Sequence, residues 1–408
     1  MTIEATRVPA QQRVVALLGP ALVAGVAYLD PGNVASNMTA GALFGYLLVW
    51  VVIAGNATAW LIQYLSAKLG IATGASLPEI LGRRLPGAWV RRAYWLQAEV
   101  VAMATDVAEV IGGAIALGLL FDIPLLIGGL LTGIVSLCLL LLQSRGRAQV
   151  FERVVTSMVV LIAVGFCAGL VVAPPQWASV AGGLVPRFEG SQSVLLAVSI
   201  LGATIMPHAI YAHSALARDR FDGTLVTKPR LLRATKIDVT IALVVAGTVN
   251  VAILLVAAGT LRGVAGTDTL EGAYQALLAN LGPVVATLFA IGLLASGLAS
   301  TSVGAFAGSE IMHGLLHVRV PILYRRVVTL LPALALLAFG VDPTWALVIS
   351  QVVLSFGIPF AIVPLVIFTA SKAIMGDLAN RWWTSAMAAV AAVALIGLNV
   401  VLLVLVLG

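Results

Sequence analysis

Long apolar stretches recur along the whole chain and constrain its fold more than any other feature. A helix needs about 20 apolar residues to cross the hydrocarbon core of a bilayer. Only 10% of the 408 residues are charged, whereas soluble domains carry roughly 25%. The composition therefore predicts one all-α transmembrane domain over 1–408 and argues against a soluble fold. We predict eleven spans, at 14–42, 44–67, 93–120, 123–142, 154–173, 194–217, 237–261, 282–312, 323–340, 345–370 and 383–407.

Basic residues lie in the short segments between these spans and predict the orientation of the chain. With the N-terminus in the cytoplasm, all but two of the 23 Lys and Arg residues fall on the cytoplasmic side, and only Arg187 and Arg262 lie outside. This is the bias expected for short loops in an inner (plasma) membrane. An odd number of spans then places the C-terminus outside. The positive net charge is explained by topology, so we expect no nucleic-acid partner.

Two spans contain sequences that interrupt a helix near mid-membrane. The first span has Asp30-Pro31-Gly32-Asn33, and the sixth has Met206-Pro207-His208. Proline removes a helix hydrogen bond and clashes with the preceding turn, and glycine makes unwinding easier. Because the breaks are five spans apart, their helices run in opposite directions, as in two inverted repeats with a site at their interface. We predict repeats over about 14–173 and 194–370, with an additional span over 383–407.

The residues at the breaks form a candidate metal site. Asp30 offers a charged oxygen, Asn33 a neutral amide oxygen and Met206 a soft thioether. A mixed oxygen and sulfur set suits Mn²⁺, Fe²⁺ and their later neighbours better than Mg²⁺ or Ca²⁺. Backbone carbonyls freed near Ala203 can complete the shell. Most methionines only fill space in the core, but Met206 directly precedes Pro207 in a mid-membrane break, which favours the ligand interpretation.

Three acids, Glu99, Asp106 and Glu109, lie on the third span. Their spacing places them within about an 80° sector of one helix. Acids inside a membrane must pair, be protonated or line water. They therefore indicate either a proton relay or a structural ion-pair cluster. Arg325 and Arg326, at the cytoplasmic start of the ninth span, are candidate partners, although snorkelling anchors explain them equally well.

Two further polar residues are candidates for the site. The imidazole of His208 titrates near physiological pH, which favours a role in proton coupling or gating. Metal ligation and a hydrogen bond to unwound backbone are the alternatives for His208. Gln351 lies in the middle of the tenth span, where it either reaches a cavity or bonds to a neighbouring helix.

The two helix breaks, Asp30-Pro31-Gly32-Asn33 and Met206-Pro207-His208, resemble the signature of the Nramp family of divalent metal transporters. The resemblance rests on the two breaks and covers the chain from about residue 14 onward. It implies a LeuT-like fold of two inverted five-helix repeats plus an eleventh helix, and proton-coupled import of Mn²⁺ or Fe²⁺ by alternating access. Co²⁺ and Cd²⁺ suit the same ligands, and we expect a monomer with no permanently bound cofactor. The supporting segments are Gly19-Pro20-Ala21, Glu99 through Glu109, Ser350 through Gly357, and Pro359-Phe360-Ala361.

The resemblance also implies a role for individual residues. It places Asp30, Asn33, Met206 and the Ala203 carbonyl on the metal, and Gln351 near it in some conformations. Relatives that move Mg²⁺ or Al³⁺ lack the methionine, so Met206 favours transition metals. The residues themselves, apart from the resemblance, predict Pro31, Gly32 and Pro207 as the helix breakers. The implied proton route comprises Asp30, His208, Glu109, Asp106, Glu99, Arg325 and Arg326.

Two other classes of protein are alternatives. A LeuT-like sodium- or proton-coupled symporter of small solutes would use hydroxyl-rich sodium ligands and a helix N-terminus for a carboxylate, which fits Met206 poorly. An intramembrane metalloenzyme would need a histidine-rich zinc site. The chain has only 4 histidines and no His-Glu-x-x-His pattern, so we do not expect an enzyme. A channel would differ from a transporter by lacking saturable, pH-dependent flux.

Overall fold

The long apolar runs fold as helices, which satisfy their own backbone hydrogen bonds in lipid. The computed structural model describes residues 20–144, 148–318 and 320–407, and no strand occurs among them. Gly19 and the rest of 14–19, predicted to open the first span, lie outside these ranges. The helices of the first half are α1 (Pro20–Gly25), α2 (Pro31–Phe44), α3 (Val49–Thr73), α4 (Leu77–Arg84), α5 (Gly87–Phe121), α6 (Leu125–Ser144), α7 (Ala148–Val172) and α8 (Trp177–Gly182).

The second half continues the same pattern of long helices joined by short connections. Short 3₁₀ segments occur at Val26–Leu29, Gly45–Leu48 and Gly376–Leu378. The helices of this half are α9 (Gly190–Thr204), α10 (Pro207–Phe221), α11 (Lys228–Thr260), α12 (Leu270–Leu281), α13 (Pro283–Leu316), α14 (Ile322–Ala338), α15 (Pro343–Ala370), α16 (Lys372–Met375) and α17 (Trp382–Leu407).

Each predicted span coincides with a helix or with a pair of helices around a break. The first span corresponds to α1 and α2, and the sixth to α9 and α10. Within the described residues, 7 helical stretches are long and apolar enough to cross a membrane. One of them, Pro31–Thr73, joins α2 and α3 through a 3₁₀ turn, so it covers two predicted spans. Two further apolar stretches, in α6 and α7, are shorter, and α14 has only 17 residues.

Several helix ends lie beyond the predicted limits. Helix α5 begins at Gly87 rather than 93, and α3 continues to Thr73 rather than 67. Hydropathy reports only the apolar part of a helix, whereas the helix continues into polar surroundings until a cap ends it. Gly74 ends α3 in the left-handed conformation, at φ 65°. The short helices α4, α8, α12 and α16 were not predicted, because none is long enough to give a span signal.

Small residues allow the central helices to approach closely, as is common in membrane proteins. A side chain on Gly41 would lie 2.6 Å from the Leu254 carbonyl oxygen of α11. Gly70 of α3 lies directly against the backbone carbonyl of Ser214 on α10. These approaches seat the two broken helices in the middle of the bundle. Helix α17 lies at its edge, where Asn399 exchanges hydrogen bonds with Ser355 of α15.

Candidate functional site

The first break separates α1 and its 3₁₀ extension from α2. Asp30 is extended, with φ −67° and ψ 160°, and its Oδ1 accepts a hydrogen bond of 2.8 Å from the backbone N–H of Asn33. Asp30 thus caps α2, while Pro31 occupies the first helical position, where a missing N–H does not cost a helix hydrogen bond. The sequence Asp-Pro-Gly-Asn therefore starts a new helix inside the membrane.

Carbonyl groups freed by this break are satisfied by side chains from other helices. The Tyr28 carbonyl accepts from Asn33 Nδ2 at 2.7 Å and from Asn250 Nδ2 at 3.1 Å. The Leu29 carbonyl accepts from the hydroxyl of Ser296. Helices α2, α11 and α13 therefore all hold the unwound segment. Irregular backbone at this depth requires such partners.

The second break lies between α9 and α10. Helix α9 ends at Thr204, and Ile205 departs from helical geometry with φ −114° and ψ 53°. Met206 is then extended, with φ −59° and ψ 120°, and Pro207 begins α10. The two breaks meet where Asn33 Nδ2 lies 3.5 Å from the carbonyl oxygen of Ala203. Met206 is fully buried in the same break.

Helix α15 supplies a third component through Gln351. Its Nε2 donates to Asp30 Oδ2 at 3.1 Å and to the Ser350 hydroxyl at 3.2 Å. Gly32 lies against the Gln351 side chain, and Gly202 lies against its backbone carbonyl. A larger residue at Gly202 would push the backbone of α15 away from the second break, and one at Gly32 would displace the Gln351 side chain. Gln351 Oε1 is buried and has no hydrogen-bond partner among the described residues.

These contacts place several oxygen donors around one buried point. Asp30, Asn33, Ala203 and Gln351 are linked to each other by hydrogen bonds, and each is fully buried. No cluster of three or more His, Cys, Asp or Glu side chains suited to a metal occurs in the described ranges. This set offers a cation one carboxylate together with neutral amide and carbonyl oxygens.

The three acids of α5 face the two arginines of α14. Glu99 Oε1 accepts from Arg325 Nη2 at 2.8 Å. Arg326 Nη1 forms an ion pair with Asp106 and lies 3.3 Å from Glu109 Oε2. All five side chains are buried. Three carboxylates and two guanidinium groups form a continuous charged row inside the bundle.

This charged row packs directly against the first break. Gly112, one turn beyond Glu109 on α5, lies against the ring of Pro31. On α13, a side chain added at Gly297 would lie 2.8 Å from the Glu109 carbonyl oxygen and 3.5 Å from Pro31 Cγ. Glycines on two helices therefore bring the end of the acidic row to the start of α2.

His208 contacts the acidic helix rather than Asp30. Its Nδ1 lies 3.2 Å from the hydroxyl of Thr105, which also donates to the Val101 carbonyl at 3.2 Å. Thr105 immediately precedes Asp106 on α5. His208 is thus positioned beside the charged row, two residues after Met206.

Comparison with known proteins identifies the family. Residues 21–405 match the family described as natural resistance-associated macrophage protein-like, or Nramp. The chain belongs to the Nramp family. It is 58% identical over 389 residues to the divalent metal cation transporter MntH of Mycobacterium tuberculosis, which covers 95% of this chain and 91% of that relative. The predicted family is therefore confirmed, and its members are transporters rather than enzymes.

Solved structures of similar proteins confirm the fold. An Eremococcus coleocola manganese transporter, solved with an aromatic bis-isothiourea compound, matches this Nramp chain with a TM-score of 0.84 at 32% identity, over 97% of this chain and 88% of that one. Mhp1, a nucleobase-cation-symport-1 family transporter, matches with a TM-score of 0.62 at 13% identity, over 95% and 92%. That second likeness concerns the fold alone. Together these matches confirm the predicted all-α, LeuT-like fold.

Sequence reasoning missed several polar residues around the Nramp breaks. Asn37 Nδ2 donates to Asn33 Oδ1 at 2.7 Å, which fixes the orientation of that amide. The hydroxyls of Ser36 and Ser199 lie 2.6 Å apart and join α2 to α9. The spacing of Asn33 and Asn37, one helical turn apart, was an available signal. The contact of Thr105 with His208 had no signal, because it depends on how α5 and α10 pack.

Proposed function

We propose that this Nramp chain imports Mn²⁺ and Fe²⁺ into the cytoplasm by proton-coupled alternating access. The observation that carries the proposal is the meeting of Asp30, Asn33, Ala203 and Gln351 at two helix breaks, with Met206 buried in one of them. Relatives named as a divalent metal cation transporter and as a manganese transporter support the choice of cargo. Co²⁺ and Cd²⁺ suit the same donors.

The donor set supports selection of transition metals. One carboxylate attracts any divalent cation, so Asp30 alone does not distinguish Mn²⁺ from Ca²⁺. A thioether is a poor substitute for the water that Mg²⁺ or Ca²⁺ must lose, whereas it suits softer ions. Met206 therefore acts in this proposal as the filter. Gln351 Oε1, which is buried and unpartnered, is an additional oxygen donor within reach of the Asp30 carboxylate.

The arrangement of the breaks supports alternating access. Asp30 and Met206 are fully buried, so a cation can reach them only after helices move. On the predicted cytoplasmic side, Arg218 of α10 pairs with Glu79 of α4 at 2.8 Å and with Glu310 of α13 at 3.1 Å. Inward opening must separate these pairs. We propose that α2 and α10 turn about the breaks, because the breaks already lack continuous helix hydrogen bonds.

Proton coupling follows from the charge at the cation site. Asp30 must be deprotonated to bind a cation well, so in this proposal a cation that enters the protonated site displaces the proton of Asp30. Glu109 lies nearest the break among the three acids, and Glu99 lies ten residues earlier, about 15 Å along α5 toward the predicted cytoplasmic end. The row of Glu109, Asp106 and Glu99 with its two arginines supports a route in that direction. An inward-negative potential favours it by about 2.3 kcal/mol per charge per 100 mV.

We also propose the topology and state implied by the sequence. The N-terminus lies in the cytoplasm and the C-terminus outside, in the inner membrane, and the protein is a monomer. The inverted repeats cover about 14–173 and 194–370. The predicted opposite directions of the two broken helices support this division, as do the contacts of α17 with α15, α9 and α3.

Uptake into proteoliposomes tests the cation site. Wild-type protein should take up Mn²⁺ far faster than Ca²⁺, and Asp30→Ala should abolish uptake. Met206→Ala should keep part of the Mn²⁺ uptake and admit Ca²⁺. Met375→Ala is the matched control, because Met375 is buried in α16 outside the breaks. If Met206→Ala still rejects Ca²⁺ as the wild type does, the proposed filter is wrong, and leucine uptake in place of Mn²⁺ uptake would favour a small-solute symporter.

A second experiment separates the proton role from the cation role. Glu109→Gln should slow metal-driven proton movement, read with a pH-sensitive dye inside the vesicles, more than it weakens Mn²⁺ binding. Glu271→Gln, in the short helix α12 away from the charged row, should leave both unchanged. The opposite pattern, in which binding is lost and proton movement per ion is kept, would assign Glu109 to the metal site.

A further inference from the structure

Arg187 and Arg262 line one cavity. They are the two basic residues that the sequence places outside, and they come from different connections. The cavity has a volume of about 590 Å³ and lies where the α2–α3 corner, the α7–α9 connection and the end of α11 meet. The sequence predicts only these two basic residues on this side of the membrane, and both line the same cavity.

Local packing positions both arginines. Gly45 has φ +60°, and a side chain there would lie 2.8 Å from Arg262 Nη1, so the guanidinium group rests against bare backbone. Trp50 Nε1 donates to the Arg187 carbonyl at 3.4 Å, and the Trp50 ring packs edge-on against Phe188 with centroids 5.4 Å apart. The connection that carries Arg187 is thereby attached to the start of α3. Aromatic residues of this kind are typical of the membrane–water interface.

Neither guanidinium group has an acidic partner within the described residues. No salt bridge joins Arg187 or Arg262 to any carboxylate there, and Glu189 is the one acid that lines the cavity. Two cations and one anion leave a net charge of +1. The cavity therefore suits an anionic group, and a guanidinium group matches the geometry of phosphate well.

An apolar groove begins where this cavity ends. The groove has a volume of about 570 Å³ and runs between α3, α7 and α11. Gln176 lines the cavity and Trp177 lines the groove, while Leu255 of the groove lies about one turn below Gly259 of the cavity. Along α11 the groove extends from Thr240 to Leu255, about 22 Å at the helical rise. That length exceeds half of a hydrocarbon core of about 30 Å.

We propose that the cavity and the groove together hold one phospholipid with an anionic headgroup. Its phosphate lies between Arg187 and Arg262, and one acyl chain lies along the groove. The positive charge of the cavity complements the phosphate, and the continuous apolar surface of the groove suits an acyl chain. A free anion would occupy the cavity and leave the groove empty. Because α3 and α7 belong to the predicted first repeat and α11 to the second, the bound lipid would contact both repeats.

Native mass spectrometry of the intact protein in detergent tests this proposal with phosphatidylglycerol as the probe. The double variant Arg187→Gln/Arg262→Gln should bind phosphatidylglycerol about thirty-fold more weakly, at about 1 kcal/mol for each basic residue. Lys372→Gln/Arg381→Gln is the matched control, because both residues are exposed on the predicted cytoplasmic side. Unchanged binding by the first double variant would overturn the proposal.

Further arms distinguish a lipid from a free anion. Thr248 is exposed in the groove, so Thr248→Trp should fill the groove without disturbing the core and should weaken phosphatidylglycerol binding. The same variant should not change the weaker binding of glycerol phosphate. If inorganic phosphate binds as tightly as the lipid and Thr248→Trp has no effect, the site takes a free anion and the lipid assignment is wrong. Equal binding of phosphatidylcholine would refute recognition of anionic charge.

Discussion

Removing Arg326 should destabilise the protein strongly. The side chain is only 1% exposed, pairs with Asp106 and lies 3.3 Å from Glu109 Oε2. It also donates to the hydroxyls of Ser136 at 3.2 Å and Thr301 at 3.4 Å. Arg326→Met keeps much of the side-chain volume but leaves two buried carboxylates without a cation. Loss of one partner from a buried pair costs about 3 to 5 kcal/mol.

Thermal unfolding in detergent, followed by intrinsic fluorescence, measures this effect. Each kcal/mol shifts the unfolding temperature by about 1 to 2 °C for a chain of this size, by extension from smaller domains. Arg326→Met should therefore lower it by about 3 to 10 °C. Arg325→Met should lower it less, because Arg325 pairs with only one acid, Glu99, among the described residues.

Neutralising the orphaned acids distinguishes lost charge pairing from lost packing. The triple variant Arg326→Met/Asp106→Asn/Glu109→Gln has no unpaired carboxylate at this position and should recover most of the loss. A triple variant as unstable as Arg326→Met would mean that packing, not charge, determines the cost. If Arg326→Met is as stable as the wild type, the buried ion pairs of Arg326 do not stabilise the protein and the prediction is refuted.

Three other changes test a close approach between helices, a helix cap and an ion pair. Gly202→Ala would press a methyl group against the backbone carbonyl of Gln351, and it should lower both the unfolding temperature and the affinity for Mn²⁺, measured by calorimetry. Ser76→Ala removes the capping box of α4, and it should cost about 1 kcal/mol in thermal unfolding. Arg218→Gln breaks the pairs with Glu79 at 2.8 Å and with Glu310 at 3.1 Å. These pairs are partly exposed, so stability should change by less than about 1 kcal/mol for each pair, while labelling of a cysteine placed in α10 by a water-soluble thiol reagent should rise.

Features of the fold that depend on local sequence could be predicted, and those that depend on packing could not. Apolar runs located the long helices, and Pro31 and Pro207 located the breaks, because proline acts on its own helix. Helix α3 ends, and helix α5 starts, about six residues beyond the predicted span limits. Each depends on where a cap or a turn ends the helix, and hydropathy does not report caps.

The candidate site shows the same limit. The type of donor was visible in Asp30, Asn33 and Met206, because each stands beside a helix breaker. Gln351 was only one of several polar residues in its span, and its hydrogen bond of 3.1 Å to Asp30 arises from the approach of α15 to Gly32 and Gly202. The sequence shows where a glycine is, but it does not show which helix packs against that glycine.

The packing of Pro31 joins the two halves of the proposed mechanism. The first break and the charged row are not separate sites, because Gly112 and Gly297 bring α5 and α13 against the same proline. A rotation of α2 that opens the cation site must therefore change contacts within one turn of Glu109. Dense packing transmits such a displacement rather than absorbing it. In the proposed mechanism, cation binding and the acids are therefore coupled through the shared contact at Pro31.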